Sequence, residues 1–554
     1  MTGQKLFRFI FSVLIGAGVL AFISGSSLAN NLSISNVSLE DRDAGGNTAV
    51  VEFDISWQNS WRNDINRDAV WVFLKVCKGT ACSPDANVAW THGMLATAGD
   101  NPADSAPGDN ADMNIYVTSD LVGAFLYRKS SGNGTMSAND VQLRLDYGAS
   151  PTSAGDTDQI QVRVFGIEMV YIPEGDFYIG DGNGTSESTS AFHSGTGNAA
   201  VQITSALTGD IRVDAGTYDD TQIENTGIGI DGDGGLDTDD NGSVDNANFP
   251  TGWTEFYLMK YEMNQAQYRD FLNTLTQEQQ NTRTGTDLSA EGASGYYVMH
   301  NATTSSFRET IKAGDDPADG MPYTFGCDLN DNEVLDEYDD GEWIAMHYLT
   351  WMDLCAYADW AGLRPMTELE FEKAARGSRD EIYGEYSWGT TSATQADSTV
   401  VNSGQSNEAA STTGSGLANY SALTILGPLR TGFAATSSTN RTGAGAGYYG
   451  VMELSGNIGE RTVTVGNTDG RSFEGTHGDG VLTASASYEG NATNTDWPGI
   501  DDVQERGVTG ASGSGIRGGQ WFANEDDMYI SYRYNAANPT TRTSEYGGRC
   551  ARGL

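Results

Sequence analysis

Strict period-two alternation governs the first third of this chain. The runs "AVVEFDISW" (49–57), "AVWVFLKV" (69–76), "DVQLRLDYG" (140–148) and "QIQVRVFGIEMVYI" (159–172) set apolar residues at every second position or fill short stretches with β-branched and aromatic residues. A helix would spread such residues around its circumference, whereas a strand gathers them on one face. Turn-rich segments separate the runs, so residues 30–166 are expected to form an all-β sandwich. Within it Cys77 and Cys82 bracket the loop "CKGTAC" and are expected to bridge, since no neighbouring His or further Cys supports a metal or redox pair.

From "MVYIPEGDFYIGDG" (169–182) onward the pattern changes. Three segments carry helical spacing. "NQAQYRDFLNTL" puts Tyr268, Phe271, Leu272 and Leu275 on one face behind Asn264 as N-cap. "TWMDLCAYADWAG" pairs Thr350 with Asp353 and "TELEFEKAARG" pairs Thr367 with Glu370 as capping boxes, with Gly362 and Gly377 as stops. Between these segments, residues 183–250 and 390–447 are rich in Gly, Ser, Thr and Asn and are expected to be insertions, the second a long surface excursion.

The start of the chain reads as a leader. Lys5 and Arg8 precede an apolar run from Phe9 to Ile23, and Ser27 and Ala29 are small, so a secretory signal with a cut after Ala29 is expected. The run is shorter than the ~20 residues of a membrane span, so no transmembrane anchor is expected. The formal net charge is -44. That charge excludes a sequence-independent nucleic-acid binder, which needs a positive surface to release counterions. A secreted, periplasmic or cell-surface location follows, where the carboxylates confer solubility and some are expected to hold divalent cations.

Few motifs carry chemistry. The five His show no helical metal spacing, and no Gly-x-Ser-x-Gly elbow occurs. "GAGYYG" (445–450) follows a polar loop, not a strand, which removes a dinucleotide site. In "DTDDNGSVDNAN", Asp237, Asp239, Asn241 and Asp245 hold the spacing of a calcium loop, with Asn248 where a bidentate Glu is usual; the segment reads either as a weak calcium loop or as a solvated acidic loop. "DLNDNEVLDEYD" (328–339) is a poorer copy, with Glu333 where the sharp turn wants Gly. Glu368, Glu370 and Glu372 read as an acidic first helical turn favoured by the helix dipole.

Seven blocks, in order, resemble the formylglycine-generating enzyme (sulfatase-modifying factor) family: "MVYIPEGDFYIG", "YLMKYEMNQAQYRDFLN", "LTWMDLCAYADWAGLRPMTELEFEKAARG", "YSWG", "YGVMELSGNIGE", "IRGGQW" and "GGRCAR". The resemblance implies an α+β chain: the β-sandwich, then over residues 167–554 a domain of C-type-lectin-like fold with little regular structure and long loops. It implies a structural calcium ion held by Glu453, the carbonyls of Gly456 and Ile458, and Glu460, although Glu453, Gly459 and Arg461 depart from the family pattern. It implies a Cys327–Cys550 disulfide and leaves Cys355 as a buried thiol. Active members place two copper(I)-binding cysteines after the "RGG" block. Here those positions fall on Ala523 and on Met528 or Ile530, so no copper is expected.

The resemblance therefore implies the scaffold without its catalytic pair. The leading expectation is an exported protein, not a formylglycine-generating oxidase, that binds a glycan, peptide or other extracellular partner. Its cleft would be lined by Arg517, Gln520, Trp521, Asn524, Tyr532, Arg533 and Tyr534. The alternatives are an exported enzyme using that cleft for another maturation or oxidoreductase reaction, and a structural envelope protein.

Overall fold

The computed structural model describes residues 12–15, 18–22, 31–97, 112–182, 191–193, 199–208, 212–213, 236, 243–289, 291–396, 399–436, 438–536 and 541–554. The alternating segments are strands: β1 (Ser33–Asp43), β2 (Thr48–Arg62), β3 (Asp68–Lys78), β4 (Met113–Val117), β5 (Ala124–Arg128), β6 (Gly132–Asp146) and β7 (Ile160–Ile172). Later in the chain come β8 (Phe256–Met259), β9 (Arg364–Pro365), β10 (Gly459–Val463), β11 (Ser514–Arg517), β12 (Tyr546–Gly547) and β13 (Cys550–Gly553). The helices of seven or more residues are α1 (Gln265–Leu272), α2 (Gln277–Arg283), α3 (Trp351–Trp360) and α4 (Glu368–Arg376). Strand outweighs helix among these elements.

One sheet, in the order β9-β13-β8-β7-β3-β5-β4, runs through the molecule. A second, β1-β2-β6, covers part of it. The parity of β3 explains why both faces are dry. Val70, Val72, Leu74 and Val76 pack toward β1, β2 and β6, while Ala69, Trp71 and Phe73 pack toward α1 and α3. Such a strand reads as a nearly continuous apolar run because neither face meets water.

The junction expected between residues 166 and 167 falls inside β7. Ile160, Val162 and Val164 contribute to the core of the N-terminal sheet; Val170 and Ile172, on the same face, pack with Phe371 and Ala374 of α4. β7 pairs with β3 from Ile160–Lys78 to Val170–Asp68 and with β8 from Met169–Met259 to Ile172–Phe256. The two units thus share a sheet, and polar contacts tighten the seam: Trp71 Nε1 donates to the Ala361 carbonyl at 2.8 Å. Lys260 Nζ lies 3.3 Å from Asp68 and 3.0 Å from Glu168.

The three expected helices form with their capping boxes, on Asn264 and Gln267, Thr350 and Asp353, and Thr367 and Glu370. α2 carries no apolar stripe and was not expected. Its Gln280 donates to the carbonyls of Leu272 and Tyr323 at 3.1 and 2.9 Å, so tertiary hydrogen bonds hold it rather than an apolar face.

Residues 390–447 differ from the expected surface excursion: much of this segment packs inward. Glu408 is fully buried; it pairs with Arg308 and accepts from the Arg430 N–H at 2.9 Å. Asn419 Nδ2 donates to the Gly427 carbonyl and to Asn457 Oδ1, each at 3.1 Å. Buried, hydrogen-bonded polar side chains do here what apolar ones do elsewhere, although Asn419 Oδ1 is left without a partner; hydropathy cannot reveal such packing. The insertion near 183–250 falls largely outside the described residues, as do Asp237, Asp239 and Asn241; Asp245 is exposed.

Cys77 and Cys82 form the expected disulfide. The Cys327–Cys550 pairing is not made: both are free and buried. Cys550 sits on β13 beside Cys355 of α3, whereas Cys327 lies opposite Ile311, near Arg269 and Asp336. At the chain start, Ser12–Ile15 pairs with Gly18–Phe22, and Ala21 and Phe22 lie beside Gln161 and Val162. The expected cut after Ala29 lies outside the described residues. Among the described residues no helix is long and apolar enough to cross a membrane.

Candidate functional site

The closing stretch from β11 onward is pinned to α4 by charge. Arg517 donates to Glu368 at 2.9 Å, to Glu372 at 2.7 Å and to the Ile530 carbonyl at 2.6 Å. Arg533 grips both oxygens of Glu368, at 2.8 and 2.9 Å. Glu368 also accepts from the Thr464 hydroxyl and the Val465 N–H. Burial alone would raise the Glu368 carboxyl, but Arg533 and then Arg517 outweigh it and hold the group below its usual range. Glu368 and Glu370 stand in the expected acidic first turn, and the i, i+4 spacing of Glu368 and Glu372 puts both on one helix face as the buried partners of Arg517, Arg533 and Arg376.

This network changes the expected cleft. Arg517 and Arg533 are both buried, with Arg517 5.1 Å over Phe371 and Arg533 3.9 Å over Phe192. Trp521 is also buried and donates to the Ser544 carbonyl. Gln520 turns back to accept from the Phe522 N–H. Asn524 is exposed, and Tyr532 and Tyr534 are half-buried with ring centres 6.3 Å apart. The space bounded by Arg517, Gln520, Ala523, Asp527, Tyr532 and Tyr546 is only about 40 Å³.

Ala523 and Met528 help close it. Met528 is fully buried and packs with Tyr386, Trp388, Ala418 and Tyr420. It fills the gap between Gly456 and Gly519, where an added Cβ would come within 2.9 Å of its Sδ and Cγ respectively. Both glycines take positive φ, +90° and +71°, so the close approach and the turn both require Gly. The Ala523 carbonyl accepts from the Ser421 N–H at 2.9 Å.

Of the expected calcium ligands, Glu453 and Glu460 are buried within electrostatic reach of each other, and Glu262 joins them. Glu453 accepts from the Gly432 N–H at 2.9 Å through one oxygen, and its other oxygen is buried without a partner. Glu460 is gripped by Arg549 at 2.6 and 2.7 Å, and the Gly456 carbonyl accepts from the Ile458 N–H. Glu262, just before α1, joins them by accepting from Asn457 Nδ2 at 2.6 Å and the Ile458 N–H at 3.0 Å. Burial pushes the Glu453 carboxyl up to about 7, and burial together with its neighbours Glu453 and Glu460 raises Glu262 as well. Three buried carboxylates thus share two guanidiniums, Arg549 and the more weakly acting Arg430, and the orphaned Glu453 oxygen is the atom that would suit a hard cation. Glu460, already held by Arg549, is the less available ligand.

The poorer calcium loop, 328–339, contains its own cation. Lys312 Nζ lies 2.8 Å from Asp328, 2.8 Å from Asp331 and 3.0 Å from Glu333. Among the described residues, these three carboxylates form the one trio whose ligand atoms lie within 4.8 Å of one another. Lys312 comes from the strand Ile311–Ala313 that pairs with Phe325–Cys327 just before the loop, and nothing in the loop's own spacing signals it. Glu262 and Arg549 were likewise not singled out, although "YEMNQAQ" and "GGRCAR" contain them.

No match to the chain was found among curated proteins. Residues 162–554 match the sulfatase-modifying factor enzyme 1-like domain. That span covers most of the chain, including β7, the four helices and the whole charged network on α4; the protein belongs to the sulfatase-modifying factor enzyme 1-like family.

Proposed function

We propose that the protein is an exported binding protein built on this scaffold and does not generate formylglycine. The observation that carries the reading is the buried methyl of Ala523 and the buried thioether of Met528 or alkyl chain of Ile530 where the resemblance places copper-binding thiolates. A thioether lacks the anionic sulfur that holds copper(I) in such a site. The remaining thiols, Cys327, Cys355 and Cys550, are buried, and burial pushes all three above their usual range, away from thiolate. The Cys77–Cys82 disulfide agrees with an oxidising compartment, as does the leader-like start. Incubating purified protein and copper(I) with a cysteine-containing sulfatase peptide should give no formylglycine by mass spectrometry; multiple turnovers would overturn the reading.

The scaffold would hold a structural calcium at Glu453, with the Gly456 and Ile458 carbonyls completing the contact and Glu460 shared with Arg549. The Glu453 carboxyl sits at about 7 against an ordinary 4.5. Between those values the folded state keeps a proton that the unfolded state releases, so this group's contribution to stability falls as pH rises through the window. Calcium needs the deprotonated form, so its stabilisation should grow from pH 5 to pH 8. At a calcium concentration of one hundred times Kd the gain is about 2.7 kcal/mol. Thermal melts with and without EGTA check this. Glu453→Gln should abolish the calcium-dependent shift; an equal shift in that variant would remove the site.

A further inference from the structure

A cavity of about 410 Å³ opens on the seam between the two units, away from the closing stretch. The end of β2 supplies Trp61 and Asn59, the following turn Asn63, and the segment 435–452 supplies Asn440, Tyr448 and Tyr449.

The wall is notable for its charge. The chain has 75 Asp and Glu, yet no carboxylate lines this cavity. Its two cations are engaged. Lys260 lies between Asp68 and Glu168, and Arg441 donates to the carbonyls of Ser387 at 2.6 Å, Ala375 at 3.2 Å and Ala446 at 3.3 Å. The space therefore offers neutral donors, neutral acceptors and aromatic surface.

The aromatic parts are held in place. The Trp61 backbone N–H donates to Asp68 at 2.8 Å, and a Cβ on Gly450 would come within 2.9 Å of the indole, so the ring rests against bare backbone. Asn66 Nδ2 donates to the Tyr449 carbonyl at 2.8 Å and ties the two units together beneath the cavity. The Tyr448 and Tyr449 rings stand nearly perpendicular, 84° apart. Among the described residues, the Trp61 indole N–H, the Asn59 amide and the Tyr448 and Tyr449 hydroxyls have no hydrogen-bond partner in the protein.

We propose that this seam cavity binds a neutral saccharide unit. A pyranose offers hydroxyls, which amides and phenols pair in either direction, and an apolar C–H face, which stacks on an indole or phenol ring. A cationic ligand would need a carboxylate, and the wall supplies none; Arg441 spends Nε and Nη2 on backbone carbonyls but keeps its charge, so an anion is the alternative that the sialylated probe tests. The volume lies within the range of small-molecule sites. The proposal deepens the binding-protein reading and rests on it.

The test uses saturation-transfer NMR on the intact protein with cellobiose, maltose and N,N′-diacetylchitobiose, and with 3′-sialyllactose and spermidine as charged probes. At least one neutral disaccharide should bind with Kd on the order of 1 mM. Trp61→Ala should weaken it at least about tenfold and Tyr448→Phe several-fold, with folding checked by near-ultraviolet circular dichroism. Phe522→Ala, in the exposed closing loop, should leave binding unchanged. Transfer to none of the neutral probes, binding of the charged probes alone, or loss on Phe522→Ala with retention in a folded Tyr448→Phe would each overturn the proposal. The peptide-oxidation assay decides the wider reading separately: with no formylglycine and no saccharide binding, this site falls and that reading stands.

Discussion

Glu368→Gln should destabilise the protein by about 3–5 kcal/mol, the range expected when one partner of a buried ion pair is removed. Glu368 is fully buried and serves two guanidiniums. After the substitution Arg517 keeps Glu372, but Arg533 has lost the carboxylate that held it at both oxygens. An amide still accepts from Thr464 and Val465, so the loss isolates the charge. Arg533→Met should cost less, because Arg517 still compensates Glu368; the double variant should be milder than the sum, since the charges leave together. Urea unfolding measures all three, and a change below about 1 kcal/mol in Glu368→Gln would mean the network is not what pins the closing stretch. The acid limb gives a second reading. The arginines hold the Glu368 carboxyl below its ordinary 4.5, so its contribution is complete above that value and is lost as pH falls through the lowered one. The variant should lose stability less steeply in acid than the parent.

Lys312→Met should cost about 3 kcal/mol, again by stranding a buried charge. Asp328 is fully buried; without the ammonium it keeps only the N–H groups of Asn332 and Glu333 at 3.1 and 3.3 Å. Asp331 and Glu333 are open to solvent and would repel it. Because the three carboxylates stand within 4.8 Å of one another, millimolar calcium should restore part of the loss in the variant and do nothing at this loop in the parent. Chemical denaturation of both proteins in EDTA and in calcium makes the comparison. Unchanged stability in EDTA would show that Lys312 is not the cation of this loop.

Both predictions rest on partners that no local window of sequence contains. The helix starts were legible because a capping box closes within four residues: Thr350 with Asp353, Thr367 with Glu370. The strands were legible because burial on one face imposes a period of two, and the Cys77–Cys82 bridge because five residues of chain keep the thiols close. Family membership was legible through block order. The junction at 166 was misplaced because β7 continues through it: nothing in "QVRVFGIEMVYI" marks where its outer cover passes from the N-terminal sheet to α4. The expected cleft was misjudged for a similar reason. Arg, Tyr and Asn in a closing stretch suit an open lining as well as a buried one, and Glu368, almost 150 residues upstream, decides between them.

The sequence alone determined the long N-terminal strands, where three helices begin, and that thiols are missing from the positions the resemblance assigns to copper. Those properties depend on backbone periodicity, short-range hydrogen bonding and residue identity. The tertiary structure decided which charges meet. It made Lys312 the cation of the loop at 328, placed Arg549 beside Glu460, turned Arg517 and Arg533 inward, and set Trp61 and Tyr448 on the wall of one cavity without carboxylates. Coulombic pairing depends on separation in space, and a chain can bring residues hundreds of positions apart into contact.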